Sequence, residues 1–504
     1  MHSTTVHQSR TGFHVHGREN SARRRDGLRH ERGRPGPPAA AAALLLLATL
    51  PACTLIPTLG TARKSADLAS LDKTIPAKWS AAPYIRPRAA TGWLDDFSNE
   101  KLKQLVQTAI RSNPDLSATA ARVEQARAQV RIAGADALPQ LGADFAANRS
   151  QRASGQRFVG TGTRSNRFQL TADVSWEPDF WGRVKDQRGA AIAEAEAAGA
   201  DLHAARLSLA ANTAKAALSL AESAQLIALA EDNVNTRRTY LDVLEKKLDR
   251  GLDADTAALD VSLSRADLAR AESSLAQRKR EADAARRALE TLLGTYPAGI
   301  EQGLSTLPSM KRGVPAGLPS DLLLRRPDLI AAERRLESAL KEESVAKKAY
   351  LPSFNLTGDT GFSTEELARL LNKEAFVWSL AASVAQNIFQ GGRFKANTDL
   401  ARERYNEALA AYAGDALTAF KEVETALAAE AFYLEQEAAL QRAVGEADRS
   451  RRLAVGQYER GLTEALTLLD AQQRYFDAQS ALLSVRALRL RNRVDLHLAL
   501  GGAF

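Results

Sequence analysis

From Asn166 the chain alternates strictly: Phe168, Leu170, Ala172, Val174 and Trp176 fall on one parity, and Arg167, Gln169, Thr171, Asp173, Ser175 and Glu177 on the other. A period of two predicts a strand with one apolar and one wet face. The alternation returns in Trp378, Leu380, Ala382 and Val384 against Ser379, Ala381, Ser383 and Ala385. After Pro352, Phe354 and Leu356 likewise oppose Ser353, Asn355, Thr357 and Asp359. Elsewhere the period is seven. Leu220, Ile227, Val234, Leu241 and Leu248 form a seam within an alanine-rich, proline-free stretch from Lys185 to Arg250, and Leu462, Leu469, Phe476, Leu483 and Leu490 form another. Sustained heptads predict long helices packed as coiled coils.

The chain is written twice. Asn113-Pro114-Asp115-Leu116 is echoed by Arg326-Pro327-Asp328-Leu329, and Leu138-Pro139 by Leu351-Pro352, 213 residues on. Gly182-Arg183 returns as Gly392-Arg393, Arg250-Gly251-Leu252 as Arg460-Gly461-Leu462, and Leu259-Asp260 as Leu469-Asp470, 210 residues on. Each unit reads as a helix (114–138 in the first copy), a strand hairpin, a very long helix (185–250) and a returning helix (252–293). Proline suits the first turn of the first helix and stops it before the strand, while Gly182 and Gly391-Gly392 allow the bend from strand into helix. The expected segments are a signal peptide at 1–52, an N-terminal equatorial segment at 53–112, repeat 1 at 113–294, a joint at 295–325, repeat 2 at 326–500 and a tail at 501–504.

Lengths constrain how such units assemble. At about 1.5 Å per residue the long helix spans ~100 Å, and the two shorter helices stacked end to end match it. Four strands per chain suit the height of an outer-membrane wall, but bacterial barrels begin at eight strands. Two chains would close a filled barrel, whereas three give twelve strands and room for a channel. These lengths point to an α+β membrane protein whose strands close a barrel only together with other copies and whose long helices form a cylinder wall about 100 Å tall. Phe168, Leu170, Val174, Trp176, Trp378, Leu380 and Val384 would face lipid, with Phe168, Trp176, Phe376 and Trp378 as interfacial aromatics. Arginine at Leu170 or Leu380 should impair assembly, while arginine at Thr171 or Ser379 should be tolerated.

Composition adds an address. The formal net charge is +8 over 504 residues, but eight arginines and only three acids precede residue 39, so five of those charges belong to the leader and give no argument for nucleic acid. The basic run ends at Arg34, the apolar run Ala39 to Leu50 follows, and Leu50-Pro51-Ala52-Cys53 closes it. That is a secretory signal too short to remain as a spanning helix, and its end resembles a bacterial lipobox, which makes Cys53 the acylated first residue of the mature chain. Thr54 is not the acidic residue that retains lipoproteins at the inner membrane. Cys53 is the sole cysteine, and five of seven histidines lie in the leader. A His/Cys metal site or thiol-imidazole pair is therefore not expected. No later stretch reaches 18 consecutive apolar residues, so insertion must use strands.

Four segments carry a family resemblance: Trp176-Glu177-Pro178-Asp179-Phe180-Trp181-Gly182-Arg183; Leu318-Pro319-Ser320-Asp321-Leu322-Leu323-Leu324-Arg325-Arg326-Pro327-Asp328; Ile388-Phe389-Gln390-Gly391-Gly392-Arg393; and Leu468-Leu469-Asp470-Ala471. Nearly everything after Cys53 resembles the TolC-like outer-membrane efflux proteins, most of all the OprM-type lipoprotein branch. Pro178, Leu324 and Asn387 depart from the family pattern. The resemblance implies a homotrimer whose twelve-stranded barrel, four strands per chain, lies in outer-membrane lipid and is continuous with a long periplasmic α-helical barrel, working with a periplasmic adaptor and an inner-membrane pump of the RND type. It also implies that an aspartate at Asp470 belongs to a ring narrowing the periplasmic tip; the internal repeat nominates Asp260 as its counterpart.

Chemistry is otherwise thin. Gly160-Thr161-Gly162-Thr163-Arg164-Ser165 lacks the third glycine of a dinucleotide loop, and no phosphate-cradling Gly-Lys-Ser/Thr sequence occurs. No cofactor and no enzymatic activity are expected, and energy must come from a partner. Asp253 and Asp255 suit the first turn of a helix, and Arg250 and Arg460 either complement a helix C-terminus or tie neighbouring hairpins shut. The sequence thus predicts a passive exit duct for small molecules such as drugs and toxic compounds. The alternative is a periplasmic coiled-coil lipoprotein serving as adaptor or scaffold, which would need no lipid-facing hairpins.

Overall fold

The computed structural model describes residues 79–81, 92–152, 163–250, 254–310, 313 and 325–502. The leader with Cys53, Gly160 to Gly162, Gly251 to Asp253 and the joint from Leu318 to Leu324 lie outside the described residues. A short 3-10 helix (Trp93–Phe97) precedes α1 (Glu100–Ser112) and α2 (Pro114–Ala135), followed by β1 (Gln140–Arg152), β2 (Thr163–Trp176), α3 (Arg183–Asp249) and α4 (Ala254–Leu292). The second copy supplies α5 (Pro327–Lys348), β3 (Ser353–Thr364), β4 (Phe376–Ala385), α6 (Arg393–Glu459) and α7 (Ala465–Ala499). The order α2-β1-β2-α3-α4 is thus repeated as α5-β3-β4-α6-α7. Both α3 and α6 have 67 residues, or ~100 Å each. The 39 residues of α4 and 22 of α2 nearly sum to that length.

The four strands form one antiparallel sheet in sequence order. Gln140 pairs with Ser175 and Arg149 with Asn166 in the first hairpin; Ser353 pairs with Ala385 and Phe362 with Phe376 in the second. These are the same pairs, displaced by 213 residues on the first strand and 210 on the second. Between the hairpins, β2 pairs with β3 from Phe168 opposite Thr364 to Trp176 opposite Leu356. Gly182 and Gly392 sit at the N-caps of α3 and α6 with φ of 71° and 86°, which an L side chain rarely adopts. The strand-to-helix bend expected there is thereby made.

Helix starts show how the two copies diverged. The Asn113 side chain accepts from Asp115 N and Leu116 N and donates to the Leu292 carbonyl, capping α2 and tying it to the end of α4. Its counterpart Arg326 cannot cap. The buried guanidinium instead reaches Asp328 at 2.6 Å, Glu422 at 2.6 Å and the Ala499 carbonyl at 3.2 Å. One position thus ties helix start to helix end by different chemistry in each copy. Glu290 and His497, each four residues before the glycine that packs on this junction (Gly294 on Ser112 and Asn113, Gly501 on Arg325 and Arg326), repeat the theme. The Glu290 carboxylate accepts the N–H groups of Gly299, Ile300 and Glu301 at 2.7–2.8 Å, whereas His497 Nε2 lies 2.9 Å from the buried Asp96 and its ring stacks on Trp93.

The largest core joins these ends to the middle of α3. Trp93, Phe97, Leu102, Val106 and Ala109 pack on Ala210, Ala214, Ala217 and Leu218, with Leu289, Leu293, Leu490 and Val494 completing the cluster. Small alanines let helix backbones approach closely, and Leu218 and Leu220 add bulky side chains from α3 to this girdle. The predicted seam is present in part: Leu220, Val234 and Leu241 are buried, as are Leu469 and Leu490. Leu462 is exposed because α7 begins only at Ala465.

Burial alone would raise the Asp328 carboxyl, but the Arg326 fork overrides it and holds the group below its ordinary range. A lowered carboxylate pKa contributes stability that is present above the unfolded value of about 3.9 and lost as pH falls through the folded value. Asp328→Asn should therefore cost on the order of 1 kcal/mol at pH 7, allowing for screening of a half-exposed carboxylate. Thermal melts followed by circular dichroism in detergent should show the gap from wild type closing as pH falls below about 3.9. A gap constant with pH would contradict this role.

Candidate functional site

Register decides which side chains share a surface. Leu170 lies between Phe145 and Phe362, Val174 between Leu141 and Gly358, and Trp176 beside Leu356. Trp378, Leu380 and Val384 lie opposite Thr360, Gly358 and Phe354. With Phe168, all seven residues expected to meet lipid occupy one face of the sheet. Trp378 and Leu380 are 70% and 72% exposed in the single chain. A contiguous apolar face of this extent is not left to water by a soluble protein. The other face carries Asp144, Gln169, Asp173, Asn355 and Asp359, with Asp173 directly opposite Asp359 and the Ser379 hydroxyl donating to Asp359.

One wet-face position differs from expectation. Thr171 is only 9% exposed, because its cross-strand neighbour Gly361 brings β3 close: a Cβ there would lie 2.1 Å from the Leu170 carbonyl oxygen. Arginine at Thr171 has no room, and Ser379 is engaged with Asp359, so neither is the freely substitutable position the alternation suggested. Ser383 is exposed on the same face and suits that test. Below the sheet, Trp176 Nε1 donates to the Ala137 carbonyl and Trp181 Nε1 to that of Pro352, at 3.0 and 2.7 Å. These indoles fix the crossing from strand to helix.

At the far end, α3, α4, α6 and α7 meet around Tyr240, Leu244, Val261, Ala454, Leu468 and Leu469. The four tip residues singled out by sequence do not form one cluster. Asp470 is exposed and pairs with Arg474 on its own helix at 2.7 Å. Asp260 is half-buried; burial, then repulsion from Glu464, raises its pKa against a smaller opposing effect of Lys247. Arg460 Nε donates to the Gly456 carbonyl at 2.8 Å, the helix-end role. Arg250 stands exposed at the C-cap of α3, and the helix around Asp255 begins as expected at Ala254.

Sequence reasoning missed the polar knot nearby. Buried Arg237 on α3 donates to Gln473 on α7 at 2.5 Å and to Asn233, and lies 3.5 Å from Asp267 on α4. Lys247 Nζ donates to the Tyr458 hydroxyl at 3.2 Å while lying over its ring, and Tyr240 meets Tyr458 edge-on. Burial, then the Tyr458 neighbour, pushes the Tyr240 hydroxyl far up. Arg237 has a local partner in Asn233, one helical turn before it, but nothing in the sequence marks its burial, since Arg188, Arg206 and Arg238 on the same helix are exposed.

An open sheet with one lipid-compatible face, set on hundred-ångström helices, narrows the choice to outer-membrane ducts. The model of the outer membrane efflux protein family matches twice, over residues 105–295 and 318–502. The chain belongs to that family. It is 34% identical to the outer membrane protein OprJ of Pseudomonas aeruginosa over 92% of this chain and 95% of the relative. Identity to the cation efflux system protein CusC of Escherichia coli K12 is 30%, over 82% of this chain and 88% of that one. The structure of the outer-membrane channel OprN superposes with a TM-score of 0.79 at 30% identity, covering 85% of this chain and 97% of the other. The chain therefore has the fold of the trimeric outer-membrane efflux channels, four strands per chain set on a helical tunnel, and serves as the outer-membrane component of an efflux system. Among the described residues no helix is long and apolar enough to cross a membrane; the sheet is the spanning element.

The two faces should respond oppositely to charge. Leu380→Arg should lower the yield of assembled protein, at roughly 2–4 kcal/mol if the position lies near the bilayer midplane. Ser383→Arg should assemble normally and change conductance. Heat-modifiability on gels and bilayer recordings read the two effects, and equal tolerance on both faces would contradict the assignment.

Proposed function

We propose that this chain is the passive exit duct of a tripartite exporter, anchored in the outer membrane through acylated Cys53 and joined at its helical tip to a periplasmic adaptor and an inner-membrane pump of the RND type. The observation that carries the reading is the continuous apolar face of the four-stranded sheet opposite a face bearing Asp144, Asp173 and Asp359. A scaffold or adaptor has no use for that surface. Lining by water-facing polar groups selects weakly among small molecules, so the choice of cargo rests with the pump. Relatives of this chain include a toluene efflux pump outer membrane protein and a cation efflux system protein, in keeping with a duct indifferent to solute class. The proposed division of the chain is that of the sequence: 53–112 and 295–325 around the girdle, 113–294 and 326–500 as two wall units. A pump deletion and a deletion of this chain should sensitise cells to the same compounds; sensitivity to different sets would contradict a shared pathway.

The proposed constriction places three Asp470 carboxylates near the axis. Each has an Arg474 partner, which offsets the charge and weakens the cation preference such a ring would otherwise impose. Asp470→Asn should therefore reduce cation preference, and Arg474→Gln should raise it. Asp260→Asn should change selectivity less. Single-channel reversal potentials measure all three. Identical values in Asp470→Asn and Arg474→Gln would place the constriction elsewhere.

Acylation at Cys53 adds an anchor to a barrel already held by its strands. Cys53→Ser should abolish palmitate labelling while trimers persist in the outer membrane. Label retained in the variant would refute the lipobox.

A further inference from the structure

The strand-to-helix crossing encloses a cavity of about 260 Å³, at the end of the sheet where β2 stops at Trp176 and β3 starts at Ser353. The helices extend from the sheet into the periplasm, so this end of the sheet meets the headgroups of the inner leaflet of the outer membrane. One wall of the cavity is aromatic. Phe354 has the parity of Leu356 and pairs with Val384, which puts it on the lipid face, and the Phe180 and Trp181 rings lie 4.6 and 6.3 Å from its own. Phe180 is 66% exposed. Aromatic rings gather at this depth of a bilayer, between headgroup and acyl chain.

The other wall holds two carboxylates and two cations, Glu177, Asp179, Arg183 and Lys348. Two of the four are committed to the frame. The Asp179 carboxylate accepts Val184 N and Lys185 N at 3.1 and 2.8 Å, and Lys348 Nζ donates to the Gly182 carbonyl and to Asp186 at 3.1 and 2.6 Å. The other two, both half-buried, meet by a single contact, Arg183 Nη2 to Glu177 Oε1 at 2.9 Å. Arg183 Nε and Nη1 and Glu177 Oε2 have no further partner among the described residues. The internal repeat marks this pair as a departure: 210 residues on, Arg393 keeps the cation, but Asn387 stands for Glu177 and Phe389 for Asp179. The paired site thus occurs once per chain.

We propose that this cavity binds the headgroup of a phosphatidylethanolamine from the inner leaflet, with its phosphate on Arg183 and its ammonium on Glu177. A zwitterion brings its own opposite charges and lies antiparallel to the Arg183–Glu177 pair, so each charge meets its opposite while the pair stays closed. An anionic headgroup gains at Arg183 but is repelled by Glu177, and a quaternary ammonium has no N–H to donate to Glu177. Size agrees. Drug-sized ligands take about 300–1,000 Å³, so the cavity holds a headgroup and leaves the acyl chains outside, against Phe180 and the apolar face of the sheet. This site rests on the sheet as the spanning element and not on what passes through the duct.

Delipidated trimers in detergent, titrated with single lipids and weighed by native mass spectrometry, read the site. Phosphatidylethanolamine should bind at up to one per chain, roughly tenfold more tightly than phosphatidylglycerol or phosphatidylcholine, the worth of about one charge-assisted hydrogen bond. Glu177→Gln should lose that preference and bind phosphatidylglycerol more tightly than wild type does, whereas Arg183→Gln should weaken both. Arg393→Gln should change neither. A merely destabilised crossing would not reverse a headgroup preference, and wild-type selectivity stands or falls without any variant. Equal occupancy by all three lipids in wild type, or a uniform loss in Glu177→Gln trimers, overturns the site and leaves the duct reading in place. A preference that vanishes in Cys53→Ser also overturns it, by assigning the cavity to the chain's own acyl anchor. Wild-type protein that forms neither trimers nor conducting pores overturns the spanning-sheet reading, and the site with it.

Discussion

Backbone hydrogen bonding within lipid is the constraint on which the rest of the structure depends. Every N–H and C=O in the hydrocarbon region needs a partner, and a sheet satisfies this only by closing on itself. This chain brings four strands, too few to close. Assembly is therefore a condition of insertion, and the apolar face bearing Leu170, Trp378 and Leu380 finds its proper environment only in the assembled wall. The helices follow from the same closure. Gly182 and Gly392 turn each hairpin into a helix of 67 residues, so the number of strands fixes the number of helices that continue the tube.

Duplication is an economical way to build such a wall, since one solution to hairpin pairing serves in both units. The copies depart from one another where their surroundings differ. Asn113 and Arg326 hold the same junction, one with a helix cap and the other with ion pairs to Asp328 and Glu422. Glu290 gathers three backbone N–H groups from the segment after α4, while His497 faces Asp96 from the segment before α1. Both are buried ionisable groups at the end of a returning helix, and both pin a connecting segment to the girdle. Buried charge here specifies where non-repeating segments attach, which an alanine core cannot do.

Much of this was legible in sequence because it depends on period. The alternation from Phe168 to Trp176 defined a face that holds across all four strands, and the proline-free stretch from Lys185 to Arg250 defined α3 to within two residues of its observed start. What escaped depends on neighbours distant along the chain. Thr171 reads as a wet-face residue until Gly361 draws β3 against it. Asp470 reads as an isolated carboxylate, although Arg474 stands one helical turn away and could have been noticed by its i,i+4 spacing. Arg237 has an i,i+4 partner too, Asn233, but Asp267 and Gln473, the partners that join it to two other helices, have no signal in the sequence around it.

One chain is one third of a wall. Native mass spectrometry of the mature protein extracted in mild detergent, performed on the same preparation that gives bilayer conductance, would weigh the assembly. The expected particle holds three chains, with pore activity absent from any smaller species. A conducting monomer or dimer would contradict it, since four or eight of these strands cannot enclose a water-filled channel.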